Sequence, residues 1–439
     1  MGTVPRRSGM RLDAFLDRYA VRTRGMTASE IRALFAVASR PEVVSLAGGM
    51  PYLNALPLDA VGSVIAKLIR ERGAVAMQYG SGQGDPTLRE QICEVMRLEG
   101  IAAHPDDVVI TVGSQHALDL ITRIFIDPGD VVIAEAPSYV GALSVFASYQ
   151  AEVVHVSMDD CGIVPEQLSD AIKAISLVGK RAKFLYTVPN FHNPAGISLS
   201  VLRRQEVLEI CQRAGILVLE DNPYGLLGFD ADPIRVLRAD DPEGVIYLGS
   251  FSKTFAPGFR VGWAVAPHGV QKKLVLAAEA SVLCPPMFSQ LAISTYLASQ
   301  PWQVQIKTYR ELYRERRNTM LTALGEKMPS GATWTKPGGG FYVWLTLPAG
   351  LDAKAMLPRA VAARVAYVPG NAFFANGSGS SSLRLSYCYP PPDRIREGVR
   401  RLAAVLEEEQ ELLATFGPGE LRPTGNNSSG ASTPFPDLA

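Results

Sequence analysis

Between residues 108 and 266 the sequence repeats one pattern, a short run of apolar residues followed by a stretch of helical character. Apolar strands that alternate with helices are typical of a mostly parallel sheet with helices on both faces. In such a sheet, ligand-binding groups come from the loops after the carboxyl ends of the strands. The pattern therefore predicts an α/β fold with a seven-stranded sheet. The predicted strands cover residues 108–113, 131–136, 151–156, 183–188, 216–221, 245–250 and 260–266.

The pattern changes after residue 301 and predicts a smaller α+β domain. Its expected elements are a helix over 303–326, a strand over 341–347, a helix over 353–364, a short piece over 366–370, a strand over 382–387 and a helix over 393–415. The chain thus divides into an N-terminal arm and loop (1–54), a large domain (55–300), a small domain (301–416) and a tail (417–439). The tail is rich in Gly, Pro, Ser and Asn, a composition typical of disorder.

Helices are also predicted outside the repeating pattern. In MTASEIRALFAVAS, Thr27 is followed three positions later by Glu30, which is the spacing of a capping box. Further helices are expected over 58–72, 85–99 and 268–300, the last of them interrupted by the CPP sequence at 284–286.

The composition excludes several classes of protein. The chain has 43 Lys and Arg against 43 Asp and Glu, so no basic excess is present to attract nucleic acid or a membrane surface. No apolar run approaches the roughly 18 residues of a membrane span. The five cysteines are scattered without metal-ligand spacing, and their odd number favours a reduced protein. We expect a soluble, cytoplasmic protein without a metal site.

Polar and aromatic residues follow several predicted strands. Gly113, Ser114 and Gln115 open a helix after the first strand, and its free N–H groups either bind an anion or form an ordinary cap. Tyr139 follows the second strand, either as a cover for a flat ring or as a half-buried aromatic residue. Asn193 follows the fourth strand, either as a hydrogen-bond donor to a ligand or as part of an Asn-Pro turn.

The fifth predicted strand ends in two acidic residues, Glu220 and Asp221. Charges at the end of a buried strand need partners. Asp221 can hold a positively charged ring nitrogen, and the alternative is a structural ion pair or a helix cap. Tyr224, three residues later, can point to the same place.

The sixth predicted strand leads into SFSKTFAPGFRVGW. Ser250 and Ser252 can donate their hydroxyls to a phosphate, and the planar guanidinium of Arg260 suits the same group. Lys253 has a primary amine that can form a Schiff base with an aldehyde once its pKa is lowered. The alternative for a lone lysine and arginine is a solvated loop.

Taken together, these strand ends match one small molecule. A phosphate needs the helix end, the hydroxyls and the arginine, while a pyridinium needs a carboxylate. A phenolic oxygen needs Asn and Tyr, and an aldehyde needs a lysine. Pyridoxal 5′-phosphate (PLP) has all four parts, so the convergence predicts this cofactor.

The segments GSQHALDL, PNFHNPAG, LEDNPYG and SFSKTFAPGFRVGWAVAP resemble the signatures of class I/II, fold type I, PLP-dependent aminotransferases, closest to the 2-aminoadipate and kynurenine subgroup. The resemblance runs from about residue 22 to 415. It implies that Lys253 binds the cofactor covalently, that Asp221 pairs with the ring nitrogen and that Tyr139 stacks on the ring. It also implies ring-oxygen contacts from Asn193 and Tyr224, and phosphate contacts from Gly113, Ser114, Gln115, Ser250, Ser252 and Arg260.

The resemblance extends to residues outside these segments. Tyr79 in AMQYGSGQG matches a tyrosine that reaches the cofactor of the partner subunit, which implies a homodimer with shared active sites. Arg384 in SLRLSY matches the arginine that binds the substrate α-carboxylate, and Gly49 matches a backbone position beside the substrate. Ser29 and Arg32 match an arm helix that contributes to substrate binding, although a solvent-facing arginine is an equally good interpretation of Arg32.

The activity implied is a ping-pong transfer of the α-amino group of an L-amino acid (2-aminoadipate, glutamate, branched-chain or aromatic) to a 2-oxo acid such as 2-oxoglutarate. Two motifs of this sequence differ from those of the family: NPAG stands in place of NPTG, and EDN stands in place of an acidic pair. These differences leave open which amino-acid side chain the substrate carries. Three alternatives remain: a lyase or decarboxylase on the same fold, a transcription regulator with an aminotransferase-like domain, and a non-catalytic PLP-binding protein.

Overall fold

The computed structural model describes residues 15, 17–25, 40–230 and 232–417. The strands are β1 (Val44–Ser45), β2 (Val108–Thr111), β3 (Val131–Ala136), β4 (Glu152–Asp159), β5 (Gly162–Ile163), β6 (Ala182–Thr187), β7 (Leu217–Asp221), β8 (Val245–Ser250), β9 (Gly262–Val265), β10 (Thr333–Trp334), β11 (Tyr342–Thr346), β12 (Val365–Ala366), β13 (Val368–Pro369) and β14 (Ser382–Ser386).

The α-helices are α1 (Leu58–Ala76), α2 (Pro86–Arg97), α3 (Ser114–Phe125), α4 (Val140–Ser148), α5 (Pro165–Leu177), α6 (Val201–Ala214), α7 (His268–Val282), α8 (Met287–Ser299), α9 (Trp302–Lys327), α10 (Ala353–Ala362) and α11 (Pro392–Phe416). Short 3-10 helices cover Val21–Gly25, Leu53–Ala55, Pro105–Asp107, Gly225–Leu227, Leu237–Ala239, Pro257–Phe259 and Gly370–Phe373. The predicted helix with the Thr27–Glu30 capping box lies outside the described residues, as does the chain after residue 417.

An eight-stranded sheet with the order β2-β9-β8-β7-β6-β3-β4-β5 occupies the larger part of the fold. Strands β4, β3, β6, β7 and β8 are parallel, whereas β9 runs antiparallel to both β8 and β2. The α/β prediction and all seven predicted strands are confirmed. The eighth strand, β5, has only two residues, and the sequence analysis missed it.

Most strands of this sheet are buried because helices cover both faces, whereas β4 near the edge is largely half-buried. Every residue of β8 is buried, and β3, β6 and β7 each have one residue that is not fully buried. Strands without a polar face fit the continuous apolar runs that predicted them.

Local signals in the sequence account for several helix ends. Asp85 caps α2 by accepting a hydrogen bond from Leu88 N at 2.9 Å, with Pro86 at the first helical position. Gly215 ends α6 with a φ of 62°, a left-handed conformation that glycine adopts without strain. The predicted interruption near residue 284 is confirmed, since α7 ends at Val282 and α8 begins at Met287.

A four-stranded antiparallel sheet with the order β10-β11-β14-β13 forms the smaller part, and α9, α10 and α11 pack with it in one hydrophobic cluster. Strand β1 pairs in parallel with β12, and Leu46 extends this pairing by donating to Ala366 O at 2.8 Å. The chain near residue 45 thus lies against the smaller part. The domain boundaries at 54/55 and 300/301 stay predictions.

Across the residues described, none of the helices combines the length and the apolar character that crossing a membrane requires.

Candidate active site

A cavity of about 410 Å³ lies beyond the carboxyl ends of β7 and β8. Its wall brings together most of the predicted site residues from widely separated parts of the chain. The predicted residues that line it are Gly49, Ser114, Tyr139, Asn193, Asp221, Tyr224, Ser250, Ser252, Lys253 and Arg384.

One end of the cavity is built from the start of α3. Gly113 has a φ of 76°, which turns the chain so that α3 begins at Ser114. The backbone of β9 approaches this turn closely, because a Cβ added at Gly262 would lie 2.7 Å from both the carbonyl carbon of Gly113 and the nitrogen of Ser114. The free N–H groups at the start of the helix favour an anion here.

Hydroxyls and a guanidinium lie beside this helix start. Ser250 Oγ and Ser252 Oγ are 2.9 Å apart, and Arg260 Nη1 lies 3.4 Å from Ser252 Oγ. Arg260 also donates to Val112 O at 3.2 Å, which holds the guanidinium next to Gly113. Among the residues that the structure describes, Arg260 forms no ion pair with a carboxylate. The guanidinium of Arg260 is therefore available to bind an anion.

Lys253 lies in the wall of the cavity, just after β8. Its Nζ donates to Gly49 O at 2.9 Å and sits 5.6 Å from the centre of the Phe341 ring. Burial lowers the pKa of Lys253 to about 8, and the positive charges of Arg384 and Arg260 act in the same direction. The amine therefore loses its proton more readily than an ordinary lysine.

Asp221 is the last residue of β7 and is 3 % exposed. Its Oδ2 accepts a hydrogen bond from the hydroxyl of Tyr186 at 2.9 Å, whereas Oδ1 is buried without a hydrogen-bond partner among the described residues. Burial raises the pKa of the Asp221 carboxyl to about 6. A buried carboxylate with one oxygen unused is suited to a positively charged partner.

The neighbouring Glu220 has a different role. It accepts hydrogen bonds from the backbone nitrogens of Leu237 and Arg238, both at 2.9 Å. Glu220 is therefore a structural acceptor, whereas Asp221 faces the cavity.

Two tyrosines border the space in front of Asp221. Tyr139 precedes α4, and its hydroxyl lies 3.4 Å from Gln115 Oε1. Gln115 in turn donates to Gly141 O at 3.0 Å, so its amide braces the start of α4 and does not itself line the cavity. Tyr224 is buried, and its hydroxyl lies 3.5 Å from that of Tyr342. Burial raises the pKa values of both Tyr139 and Tyr224, so each phenol keeps its proton.

The opposite end of the cavity contains Arg384, which is 3 % exposed in β14. The guanidinium donates to Asn193 Oδ1 at 2.8 Å and to Ala47 O at 2.7 Å, and it lies 4.1 Å from the centre of the Tyr342 ring. These contacts leave further N–H groups of the guanidinium, and the amide N–H groups of Asn193, for a ligand.

Gly113, Gln115 and Arg260 lie beside residues of the cavity wall but do not line it, and Tyr79 does not line it either. Tyr79 follows α1 and is 76 % exposed. Ser29 and Arg32 lie outside the described residues.

The family model for aminotransferase class I and II matches residues 42–402. The chain belongs to this family. The match covers both sheets and every cavity residue named above.

Named relatives agree with this assignment. The aminotransferase is 43 % identical over 390 residues to the aromatic-amino-acid aminotransferase 1 of Thermococcus litoralis, which covers 88 % of this chain and 93 % of the relative. The crystal structure of Pyrococcus horikoshii kynurenine aminotransferase, in complex with PMP, has a TM-score of 0.86 and 39 % identity, covering 90 % of this chain and 98 % of that one. The α-aminoadipate aminotransferase of Thermus thermophilus, complexed with N-(5′-phosphopyridoxyl)-L-leucine, has a TM-score of 0.84 and 35 % identity, covering 91 % and 100 %.

The aminotransferase is therefore a fold type I, PLP-dependent transaminase, and the predicted fold, family and cofactor are confirmed. The residues of the cavity fit PLP. Oδ1 of Asp221 lacks a partner, Arg260 lacks an acidic neighbour among the described residues, and the helix start at Gly113 is open to an anion.

Several residues in or next to the aminotransferase cavity were not predicted from the sequence. Tyr342 lies beneath Arg384, and Tyr186 contacts Asp221. Both belong to strands, where an aromatic residue normally indicates core packing, so no local signal marked them. Besides Tyr342, the wall residues that were not predicted are Met50, Val140, Gly141, Ser144, Val188 and Pro223, whereas Tyr186 lies behind Asp221 and does not line the cavity.

Proposed function

We propose that this aminotransferase moves the α-amino group of an L-amino acid to a 2-oxo acid with Lys253 as the residue that binds PLP and transfers the proton. The observation that carries this proposal is that Lys253, Asp221 and Arg384 line one cavity. The amine has a lowered pKa, the carboxylate has an unused oxygen, and the arginine has unused N–H groups.

In this proposal the cofactor is held at three points. Oδ1 of Asp221 binds the protonated ring nitrogen, and Asn193 and Tyr224 donate to the ring oxygen. Tyr139 covers the ring. The phosphate would be bound by Gly113, Ser114, Ser250, Ser252 and Arg260, with Gln115 contributing as part of the first turn of α3 while its side chain donates to Gly141 O. When bound, PLP supplies an electron sink for the charge left on Cα after deprotonation.

Lys253 moves the proton. With a pKa of about 8, part of the Lys253 population is neutral near pH 7, and Nζ can then accept the Cα proton of the amino acid. The same nitrogen returns the proton later in the half-reaction. The second half-reaction, with a 2-oxo acid such as 2-oxoglutarate, uses these residues in the reverse direction, so the kinetics are ping-pong.

The substrate lies between Lys253 and the smaller part of the protein. Arg384 binds its α-carboxylate with Asn193 alongside, and the backbone of Gly49 borders Cα. In the described wall Lys253 and Arg384 are the only cations, and Met50, Val140, Val188, Pro223 and Tyr342 add apolar or aromatic surface. This composition favours an aromatic or branched-chain amino acid, in line with relatives named for aromatic amino acids and kynurenine. Glutamate or 2-aminoadipate requires a further cation, a role we propose for Arg32, and we propose Ser29 as a second substrate-binding residue.

We also propose a cytoplasmic homodimer in which Tyr79 reaches the partner's cofactor. Tyr79 and its neighbour Met77 are both exposed in the single chain, at 76 % and 73 %. Large exposed side chains of this kind favour a protein partner. The loop is held on its own subunit by close packing, since a Cβ at Gly80 would overlap Met287.

The test is the visible absorption of the purified protein with PLP, followed by addition of single L-amino acids. We expect a yellow band that bleaches with a substrate amino acid and returns on addition of 2-oxoglutarate. The Lys253→Ala protein should lack covalently bound cofactor. Covalent PLP on another lysine, or no bleaching with any L-amino acid, would contradict the proposal.

A further inference from the structure

Tyr186 is a buried polar residue to which neither the sequence nor the proposed reaction assigns a role. It lies in β6 opposite Leu219 of β7, and Asp221 lies two residues beyond Leu219. Because side chains alternate along a strand, Tyr186 and Asp221 point to the same face of the sheet. The hydroxyl of Tyr186 donates to Asp221 Oδ2 at 2.9 Å.

This hydrogen bond is the only one that the structure gives to the Asp221 carboxylate within the described residues. Burial disfavours the ionised carboxylate and raises its pKa, whereas the Tyr186 hydrogen bond lowers it more than the charge of Lys253 does. Among the described residues, the other titratable group that interacts electrostatically with Asp221 is Tyr139, at the start of α4. The ionisation of Asp221 therefore depends on Tyr186 more than on any other neighbour.

The surroundings of Tyr186 hold it in the role of a donor. The side chain is fully buried and packs edge-on against Phe146 of α4, with ring centres 5.5 Å apart. Burial raises the pKa of the Tyr186 phenol well above its usual value, so the hydroxyl keeps its proton. The phenol can donate to the carboxylate but does not compete with it for a positive charge.

We propose that Tyr186 is a positioning residue: its hydroxyl holds Oδ2 and stabilises the ionised carboxylate of Asp221, which leaves Oδ1 to bind the protonated ring nitrogen of the cofactor. This inference rests on the proposed contact between Asp221 and the ring nitrogen. It adds a residue that touches neither cofactor nor substrate but acts on the charge that keeps the ring protonated.

The Tyr186→Phe variant removes one oxygen and retains the ring against Phe146. Without the hydroxyl, Asp221 becomes protonated at a higher pH, and a neutral carboxyl cannot hold a positive ring. Removing a hydrogen bond to a charged group costs enough free energy to lower the affinity roughly tenfold or more. We expect the dissociation constant of pyridoxamine phosphate to rise by this factor, most strongly near pH 6 and less near pH 8.5, because Asp221 ionises again at high pH.

The experiment measures equilibrium binding of two probes to the apo-proteins between pH 6 and 8.5. The first probe is pyridoxamine phosphate, and the second is its analogue with carbon in place of the ring nitrogen. The ratio of variant to wild-type dissociation constants cancels the titration of the probe itself. Tyr367→Phe is the matched control, because it also removes a buried hydroxyl, one that bonds Ala353 O at 2.6 Å in the smaller part.

We expect Tyr186→Phe to weaken the first probe in the stated pH-dependent manner and to leave the second unchanged, while Tyr367→Phe changes neither. Equal binding of pyridoxamine phosphate to Tyr186→Phe and wild type would overturn the inference. If Tyr186→Phe fails to fold, or binds both probes more weakly by the same factor, Tyr186 has a structural role and the inference is overturned as well. If the wild-type protein binds both probes equally, the proposed contact of Asp221 is itself wrong.

Discussion

Replacing Arg384 with lysine is the sharpest test of substrate binding at the far end of the cavity. The guanidinium makes two charge-assisted hydrogen bonds at once, to Asn193 Oδ1 at 2.8 Å and to Ala47 O at 2.7 Å, while stacking on Tyr342 at 4.1 Å. A lysine keeps the charge but has no planar fork, so it cannot make both contacts and also grip a carboxylate with two parallel bonds.

The size of the effect follows from one lost bond to a charged group. Such a bond contributes about 1.5–3 kcal/mol, which corresponds to a loss of about 10- to 150-fold in kcat/KM for the amino acid. The assay is single-turnover bleaching of the PLP band at a series of amino-acid concentrations. The corresponding amine, which lacks the α-carboxylate, should react at similar rates with Arg384→Lys and wild type.

Arg316→Lys is the matched control. Arg316 is 4 % exposed, its guanidinium lies 4.1 Å from the Tyr52 ring centre, and it donates to the carbonyls of Cys388 and Tyr389. It thus resembles Arg384 in burial and stacking but does not line the cavity. An Arg384→Lys protein with kcat/KM within threefold of wild type would refute the reasoning. Equal losses in the two variants would refute it too, since they would reflect the cost of a buried lysine alone.

Three further predictions concern other parts of the site. Gly262→Ala places a Cβ 2.7 Å from Ser114 N and should weaken the binding of pyridoxamine phosphate by about fivefold or more, given an overpacking cost of about 1–3 kcal/mol. Pyridoxamine without phosphate should bind Gly262→Ala and wild type alike. The control is Gly269→Ala, whose Cβ meets nothing within 4 Å, and a similar loss there would refute the expectation. In the apo-protein, burial lowers the pKa of Lys253 to about 8, so above that pH the unfolded chain binds more protons than the folded one. The free energy of unfolding should therefore rise with pH from about 8 up to the ordinary lysine pKa. Chemical denaturation should show this rise for the wild-type protein and not for Lys253→Met. Identical pH profiles of the two proteins would contradict the lowered pKa of Lys253. Finally, mixing inactive Lys253→Ala and Tyr79→Ala proteins should restore roughly a quarter of wild-type activity if each tyrosine serves the partner's site of a two-fold dimer. No recovery would place Tyr79 in its own subunit's site or in none.

The parts of the site that could be predicted are those with a local signal. One buried strand ends in Asp221, and another leads into Ser250 and Lys253, so polar residues stand where an apolar run stops. Because these strands are parallel, their carboxyl ends lie at the same edge of the sheet. The seven strands were predictable for the same reason, because each is a continuous apolar run. The two-residue strand β5 was too short to leave a pattern.

The parts that could not be predicted depend on contacts between distant segments. Tyr342 meets Tyr224 across 118 positions of the chain, and Tyr186 meets Asp221 across 35. Each looks like an ordinary strand aromatic until the strands are placed side by side. The insertion of β9 between β2 and β8 is likewise a property of the assembled sheet, since local patterns do not specify strand order.

The pairing of β1 with β12 has a consequence for how the protein is made. Residues 44–49 leave the ribosome early, but the atoms that hold them belong to late segments: Ala47 O meets Arg384 across 337 positions, and Leu46 O accepts from Ser386 N at 2.7 Å. At a synthesis rate of roughly 5–20 residues per second, this early segment waits about 20 to 70 s for its partners. The large sheet, complete by Val265, can fold during that interval. The wall that contains Arg384 is therefore the last part of the cavity to assemble, only after Ser386 has been synthesised.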